Sequence, residues 1–156
     1  MMSEKNNIIL NTALHILNEE LLVKMEVAGN SMYPFLREGD FIFMRKDAMH
    51  LLKPGDIIAF KRNNYWVAHR LLAAKLNHGE IIFLCKGDSC VKCDEEIQKN
   101  NFVGKIVAYS RNGKKVDLEK GWQKKLGQIL VTTSPVNKYI LNLSMRVIFK
   151  IKRMLR

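Results

Sequence analysis

A serine, a histidine and two aspartates stand in the middle of this sequence in settings that could turn them to acyl transfer. Ser31 lies in Gly29-Asn30-Ser31-Met32-Tyr33-Pro34, with Gly39-Asp40 close behind. A serine hydroxyl becomes a nucleophile when a base can take its proton and backbone N–H groups can meet the oxyanion that forms. Gly29 lets the chain approach a substrate closely, and Pro34 stiffens the segment just past the serine. His69 is set into Tyr65-Trp66-Val67-Ala68-His69-Arg70-Leu71. Strand alternation there puts Tyr65, Val67, His69 and Leu71 on one face. An imidazole among apolar neighbours suits a base near neutral pH, although a strand histidine is also an ordinary half-buried polar residue. His15, His50 and His78 have no comparable setting. Asp88 closes Cys85-Lys86-Gly87-Asp88, and Asp94 follows six residues later. Either carboxylate could hold a histidine in its useful tautomer, and either could be plain turn chemistry. Spacing alone leaves both open.

Positioning such groups needs a rigid body, and the residue pattern supplies one. Leu10, Leu14, Leu17 and Leu21 recur at helical spacing, which predicts an N-terminal amphipathic helix over residues 6–22. From residue 23 the pattern changes to short runs of Val, Ile, Phe and Tyr bounded by turn formers. Strands are expected near 24–28, 40–45, 56–61, 65–74, 80–85 and 102–109. Lys53-Pro54-Gly55-Asp56, Asn63-Asn64, Asn77-His78-Gly79 and Asn112-Gly113 carry the turn residues between them. With nothing helical separating the strands, a mainly β fold is predicted: a small β-barrel or coiled β-sheet core with an N-terminal helix and C-terminal helices. A helical segment is expected near 118–131. A second runs to Arg156, with Val136, Tyr139, Ile140, Leu143, Val147, Ile151, Met154 and Leu155 on its apolar side. The organisation expected is residues 1–22, a β domain over 23–114 and a basic helical extension over 115–156.

The 156 residues suit one domain that buries roughly 70 % of its unfolded surface. Apolar residues at 47 % and charged residues at 26 % exclude a disordered or low-complexity chain. The net charge is +11, and nine of the 26 Lys and Arg residues follow the last acid, Glu119, so the basicity belongs to the tail. That tail suits an anionic lipid surface; nucleic acid is disfavoured because few aromatic residues stand among the cations. Cys85, Cys90 and Cys93 form an odd set without a disulfide framework, which points to a reducing compartment. The single C-x-x-C lacks the further ligands of a structural zinc site, so neither metal nor cofactor is expected. No apolar run approaches the roughly 18 residues a membrane span requires. Polar residues interrupt the would-be core of a signal peptide. The expected location is cytoplasmic, with peripheral contact at the inner membrane face as the alternative reading of the tail.

Taken in order, these residues resemble the signal peptidase I superfamily, which includes the LexA-like self-cleaving repressor domains. The resemblance rests on Gly-x-Ser-Met-x-Pro at 29–34, Gly-Asp at 39–40 and Pro-Gly-Asp-Ile-Ile at 54–58. It continues through His-Arg at 69–70, Lys-Gly-Asp at 86–88 and Val-Gly-Lys-Ile at 103–106. It implies Ser31 as nucleophile and His69 as general base. Most bacterial members and the LexA-like domains carry lysine at that position. Histidine is similar to the branch of endoplasmic-reticulum and archaeal signal peptidases, and Asp88 and Asp94 match that branch's two acidic positions. Asp94 is the favoured orienter. The serine that assists the oxyanion in bacterial members is replaced here by Gly29. The resemblance then leaves backbone N–H groups or the side chain of Asn30 for that task, with Gly29, Asn30 and Met32 as substrate or oxyanion contacts.

Two departures narrow what the resemblance implies. The hydrophobic span of a secretory signal peptidase is not seen in this sequence, and about 22 residues before the β domain are too few for a helix-turn-helix module. The expectation is therefore a serine endopeptidase that trims a specific peptide or protein precursor. The alternative is a catalytically idle scaffold that binds an anionic membrane surface or nucleic acid through its basic C-terminal helix.

Overall fold

The computed structural model describes residues 2–19, 22–78, 80–94 and 96–132. Helix α1 (Met2–Asn18) leads into strands β1 (Val23–Glu26), β2 (Phe41–Arg45), β3 (Ile57–Arg62), β4 (Tyr65–Asn77) and β5 (Glu80–Lys86). Strands β6 (Ile97–Gln98), β7 (Phe102–Arg111) and β8 (Lys114–Asp117) follow, and then helix α2 (Gly121–Thr132). The protein is mainly β: eight antiparallel strands form one sheet in the order β1-β2-β7-β3-β4-β5-β6, with β8 also on β7. Strand β7 organises it. One edge of β7 takes β2, while β3 and β8 follow one another along the other. Register shifts at Phe43/Met44, Ala59/Phe60 and Leu71/Ala73 bend the sheet. Among the described residues β1 and β6, the ends of the path, do not pair, so the sheet is open there.

All six expected strands are present with their ends moved by a few residues. The two that the residue pattern did not predict are the two-residue β6 and the edge strand β8, whose Lys114-Lys115-Val116-Asp117 holds a single apolar residue. Helix α1 begins and ends about one turn earlier than expected, and α2 covers the first C-terminal segment, starting three residues later and ending one residue later than expected. The second segment, over 136–156, lies outside the described residues.

Both faces of the sheet are covered, which is why its centre reads as continuous apolar sequence rather than alternation. On β3, Ile57 and Ala59 enter one cluster while Ile58 and Phe60 enter the other. The first cluster receives Ala13 and Leu17 of α1 together with Met32 and Leu36 of the Ser31 turn. The second packs Leu71, Phe83, Ile97 and Phe102. Beside it, the Lys53–Asp56 turn closes with Asp56 N–H donating to Lys53 O at 3.0 Å, and Leu71 N–H donates to Asp56 O at 2.8 Å. Helix α2 rests on this turn. A Cβ at Gly127 would lie 2.8 Å from Gly55 O, so only glycine permits that approach. Lys105, nearly buried, ties the segment before α2 to the sheet through Asp56 at 3.2 Å and Glu119 at 3.1 Å.

Candidate active site

The register of the β3–β4 hairpin places His69 opposite Ile58, in the middle of the sheet, with 4 % of the residue exposed. Its ring meets Phe60 edge-to-face, with centroids 5.9 Å apart. Nδ1 lies 2.5 Å from Asp94 Oδ2. With the ring neutral, a carboxylate so close accepts the Nδ1 hydrogen bond, which leaves the lone pair on Nε2. Asp94 belongs to the loop that returns from β5, and its N–H donates to Cys85 O at 2.8 Å, which fixes the loop to the strand end. Its other oxygen, Oδ1, accepts from Arg62 Nη2 at 2.7 Å. Burial works against the Asp94 charge. The hydrogen bonds from His69 and Arg62 outweigh it and hold the carboxyl below the ordinary carboxylate range.

Asp88 is engaged elsewhere. Next to His69, Arg70 faces the opposite side of the strand and meets Asp88 in a two-pronged pair, Nε to Oδ1 at 2.8 Å and Nη2 to Oδ2 at 2.7 Å. Arg70 Nη1 also donates to Gly55 O at 2.7 Å, and the guanidinium lies 4.8 Å from the centre of the Phe35 ring. The two acids that spacing alone left open thus divide their work: one, Asp94, meets the imidazole, and the other, Asp88, clamps the loop that carries both.

Ser31 stands in a turn held by Tyr33 N–H donating to Asn30 O at 3.1 Å and Leu36 N–H to Met32 O at 3.0 Å. Gly29 enters this turn at φ +83°, the left-handed region that glycine adopts without strain. Met32 and Leu36 plug the turn into the first core cluster, while Ser31 itself is exposed. The Ser31 segment reaches the histidine at Gly87. A Cβ there would lie 2.7 Å from Ser31 O, 3.0 Å from His69 Nε2 and 2.6 Å from Cys90 Sγ. The bare backbone of Gly87 thus lets the Ser31 main chain and the free edge of the imidazole converge. Among the described residues no hydrogen bond joins the Ser31 hydroxyl to His69 itself. Burial first, and then the Asp94 charge, push the Cys90 thiol upward, so it is held as a neutral neighbour.

A groove of about 450 Å³ opens beside Ser31. One side is the extended chain 25–29, the other is 64–68 at the start of β4, and Met32, Ile42, Met44 and Ala59 lie between them. Ile9 and Leu10 of α1 complete the lining. Gly29, Ser31 and Met32 face this space, whereas Asn30 gives its carbonyl to the turn. No group of three or more His, Cys, Asp or Glu side chains is clustered to hold a metal ion among the described residues.

Two participants carried no signal in the sequence. Arg62, at the end of β3, acts across the hairpin and the following loop on Asp94, 32 positions on. Ser89, after Lys-Gly-Asp, reaches back to Asn30 and Ser31. Compared with protein-family models and with curated proteins, the chain matches none.

Proposed function

We propose that this protein is a serine endopeptidase that cleaves a specific peptide or protein precursor, with Ser31 as nucleophile, His69 as general base and Asp94 as its orienter. The observation that carries this reading is the convergence at Gly87. There an imidazole oriented by a buried carboxylate turns its other nitrogen toward the backbone of an exposed serine at the end of an apolar groove. The ordered motifs that resemble the signal peptidase superfamily support it independently. On this reading the open, bent sheet is the small coiled core expected of that superfamily, and the protein works in the cytoplasm without cofactor.

The chemistry follows from those positions. An extended peptide lies between chain 25–29 and chain 64–68, beside β1, which pairs only with β2 among the described residues. The Ser31 Oγ bonds to the scissile carbonyl carbon while His69 Nε2 takes the hydroxyl proton. Backbone N–H groups of the Ser31 turn receive the oxyanion. Collapse breaks the C–N bond, and the proton passes from His69 to the leaving amine. Water, deprotonated by the same imidazole, then releases the acyl group and restores Ser31. Asp94 remains ionised and stabilises the transient imidazolium. Hydrolysis of a peptide library by the intact protein, with Ser31→Ala and His69→Ala as controls, is the direct test. Cleavage that both substitutions abolish is expected, and full activity in either variant removes the assigned roles.

A second reading draws on one surface. Helix α2 exposes Trp122 at 64 % and Ile129 at 53 %, with Lys124 and Lys125 beside them. A large indole and cations on one exposed helix are features of an interfacial helix on anionic lipid. The helix leads toward the basic segment 136–156. Among the described residues no helix is long and apolar enough to cross a membrane. Flotation with phosphatidylglycerol vesicles should bring up the intact protein and lose Trp122→Ala. Equal flotation of both refutes the role of this surface.

A further inference from the structure

The loop carrying the two acids holds the nucleophile's turn by a latch that the proposed mechanism does not itself require. Ser89 N–H donates to Ser31 O at 2.9 Å, and Ser89 Oγ lies 2.9 Å from Ser31 O and 2.8 Å from Asn30 O. One residue therefore grips two successive carbonyls. A peptide group is planar and trans, so fixing its C=O also fixes the direction of the N–H across the same bond. The Asn30 carbonyl shares its plane with the Ser31 N–H, and the Ser31 carbonyl shares its plane with the Met32 N–H. Those two N–H groups belong to the backbone that must receive the oxyanion.

Resting on the peptidase reading, we propose that Ser89 is a positioning residue that pre-orients the oxyanion-binding backbone of Ser31 and Met32. The loop is well placed to do this because it is itself immobilised. Asp88, its neighbour, is clamped by Arg70 with both side chains nearly buried, and the following Cys90 N–H donates to Gly87 O at 3.0 Å. The hydroxyl has one proton, which it shares between the two carbonyls. The backbone N–H of Ser89 secures Ser31 O whatever side chain is present, so Asn30 O is the group that loses its loop partner when the hydroxyl is removed. Asn30 O keeps its bond from Tyr33 N–H, so the turn survives while the aim of the Ser31 N–H loosens. Preorganised donors act only where charge develops, so the loss belongs to the chemical step rather than to peptide binding.

The probe is a fluorophosphonate. Ser31 Oγ bonds to its phosphorus, fluoride leaves, His69 takes the proton, and the P–O oxygen occupies the oxyanion site. Labelling of the intact protein is followed by mass spectrometry at increasing probe concentration, which separates the maximal rate from half-saturation. Ser89→Ala should lower the maximal rate by about 10- to 100-fold with half-saturation little changed, as expected for slight misplacement of a reacting group. Ser89→Thr, which keeps the hydroxyl, should restore it. Labelling of Ser89→Ala at the wild-type rate overturns the latch and leaves the peptidase reading intact. Wild-type protein that never labels at Ser31 overturns both. If Ser89→Ala fails to fold, Ser89→Cys, nearly isosteric but a weak donor, decides in its place: a slow maximal rate supports the latch and an unchanged one overturns it.

Discussion

Removing the Asp88 carboxylate should damage stability far more than its place in a surface-facing loop suggests. In Asp88→Ala the Arg70 guanidinium stays where β4 puts it, with its side chain 4 % exposed, and loses both charge-assisted hydrogen bonds to a partner that is itself 6 % exposed. Gly55 O and the Phe35 face remain, but neither carries a compensating charge. Solvent screening does not relieve the loss, because water reaches neither group freely. Breaking a buried pair from one side costs about 3–5 kcal/mol, a large part of the 5–15 kcal/mol that stabilises a typical domain. For a chain of this length that is a fall in Tm of roughly 6–20 °C. Thermal and urea unfolding followed by far-UV circular dichroism measures it. The Asp88→Ala, Arg70→Met double variant should recover part of the loss, since the stranded charge is then gone. A cost below about 1 kcal/mol, the range of exposed pairs, or a double variant whose cost is the sum of the singles, would refute this reasoning.

Other substitutions separate the site's parts. Asp94→Asn should slow fluorophosphonate labelling of Ser31 by about 10³- to 10⁴-fold, because an amide can present the wrong group to Nδ1, whereas Asp88→Asn at a temperature where it is folded should label far faster than Asp94→Asn. Gly87→Ala forces a Cβ to within 3.0 Å of Ser31 O, Cys90 Sγ and His69 Nε2. It should cost about 1–3 kcal/mol by overpacking and slow labelling together, both read on one protein preparation. Acid should destabilise the fold through Asp94 and Asp40. Burial disfavours the Asp40 charge, but hydrogen bonds from Arg111 and from the Arg37 N–H hold its carboxyl below the ordinary value of 3.8, as His69 and Arg62 do for Asp94. Depressed carboxyls contribute stability that is complete above that value and lost as pH falls through the lower, folded one. Urea midpoints should therefore drop below about pH 4, and Asp40→Asn should flatten that slope.

Much of the architecture follows from local pattern. Periodicity marked α1 and six strands, and Pro54-Gly55, Asn63-Asn64 and Asn112-Gly113 marked the turns, because helix period, pleat and left-handed turn residues are properties of a few consecutive side chains. The same local reading singled out Ser31 and Asp88 in turns, His69 inside a strand pattern, and Asp94 six residues past Asp88. What it could not supply was partnership. Asp88 and Asp94 share one loop, and only the bend of the chain after β5 decides that Asp94 meets His69 while Asp88 meets Arg70. The side-to-side alternation of adjacent strand residues then sends the two pairs to opposite faces. Arg62 and Ser89 have no sequence mark, because their roles depend on strand register and loop return across 32 and 58 positions. The groove beside Ser31 is likewise a product of packing: it exists only once α1, β1 and the start of β4 have been brought together.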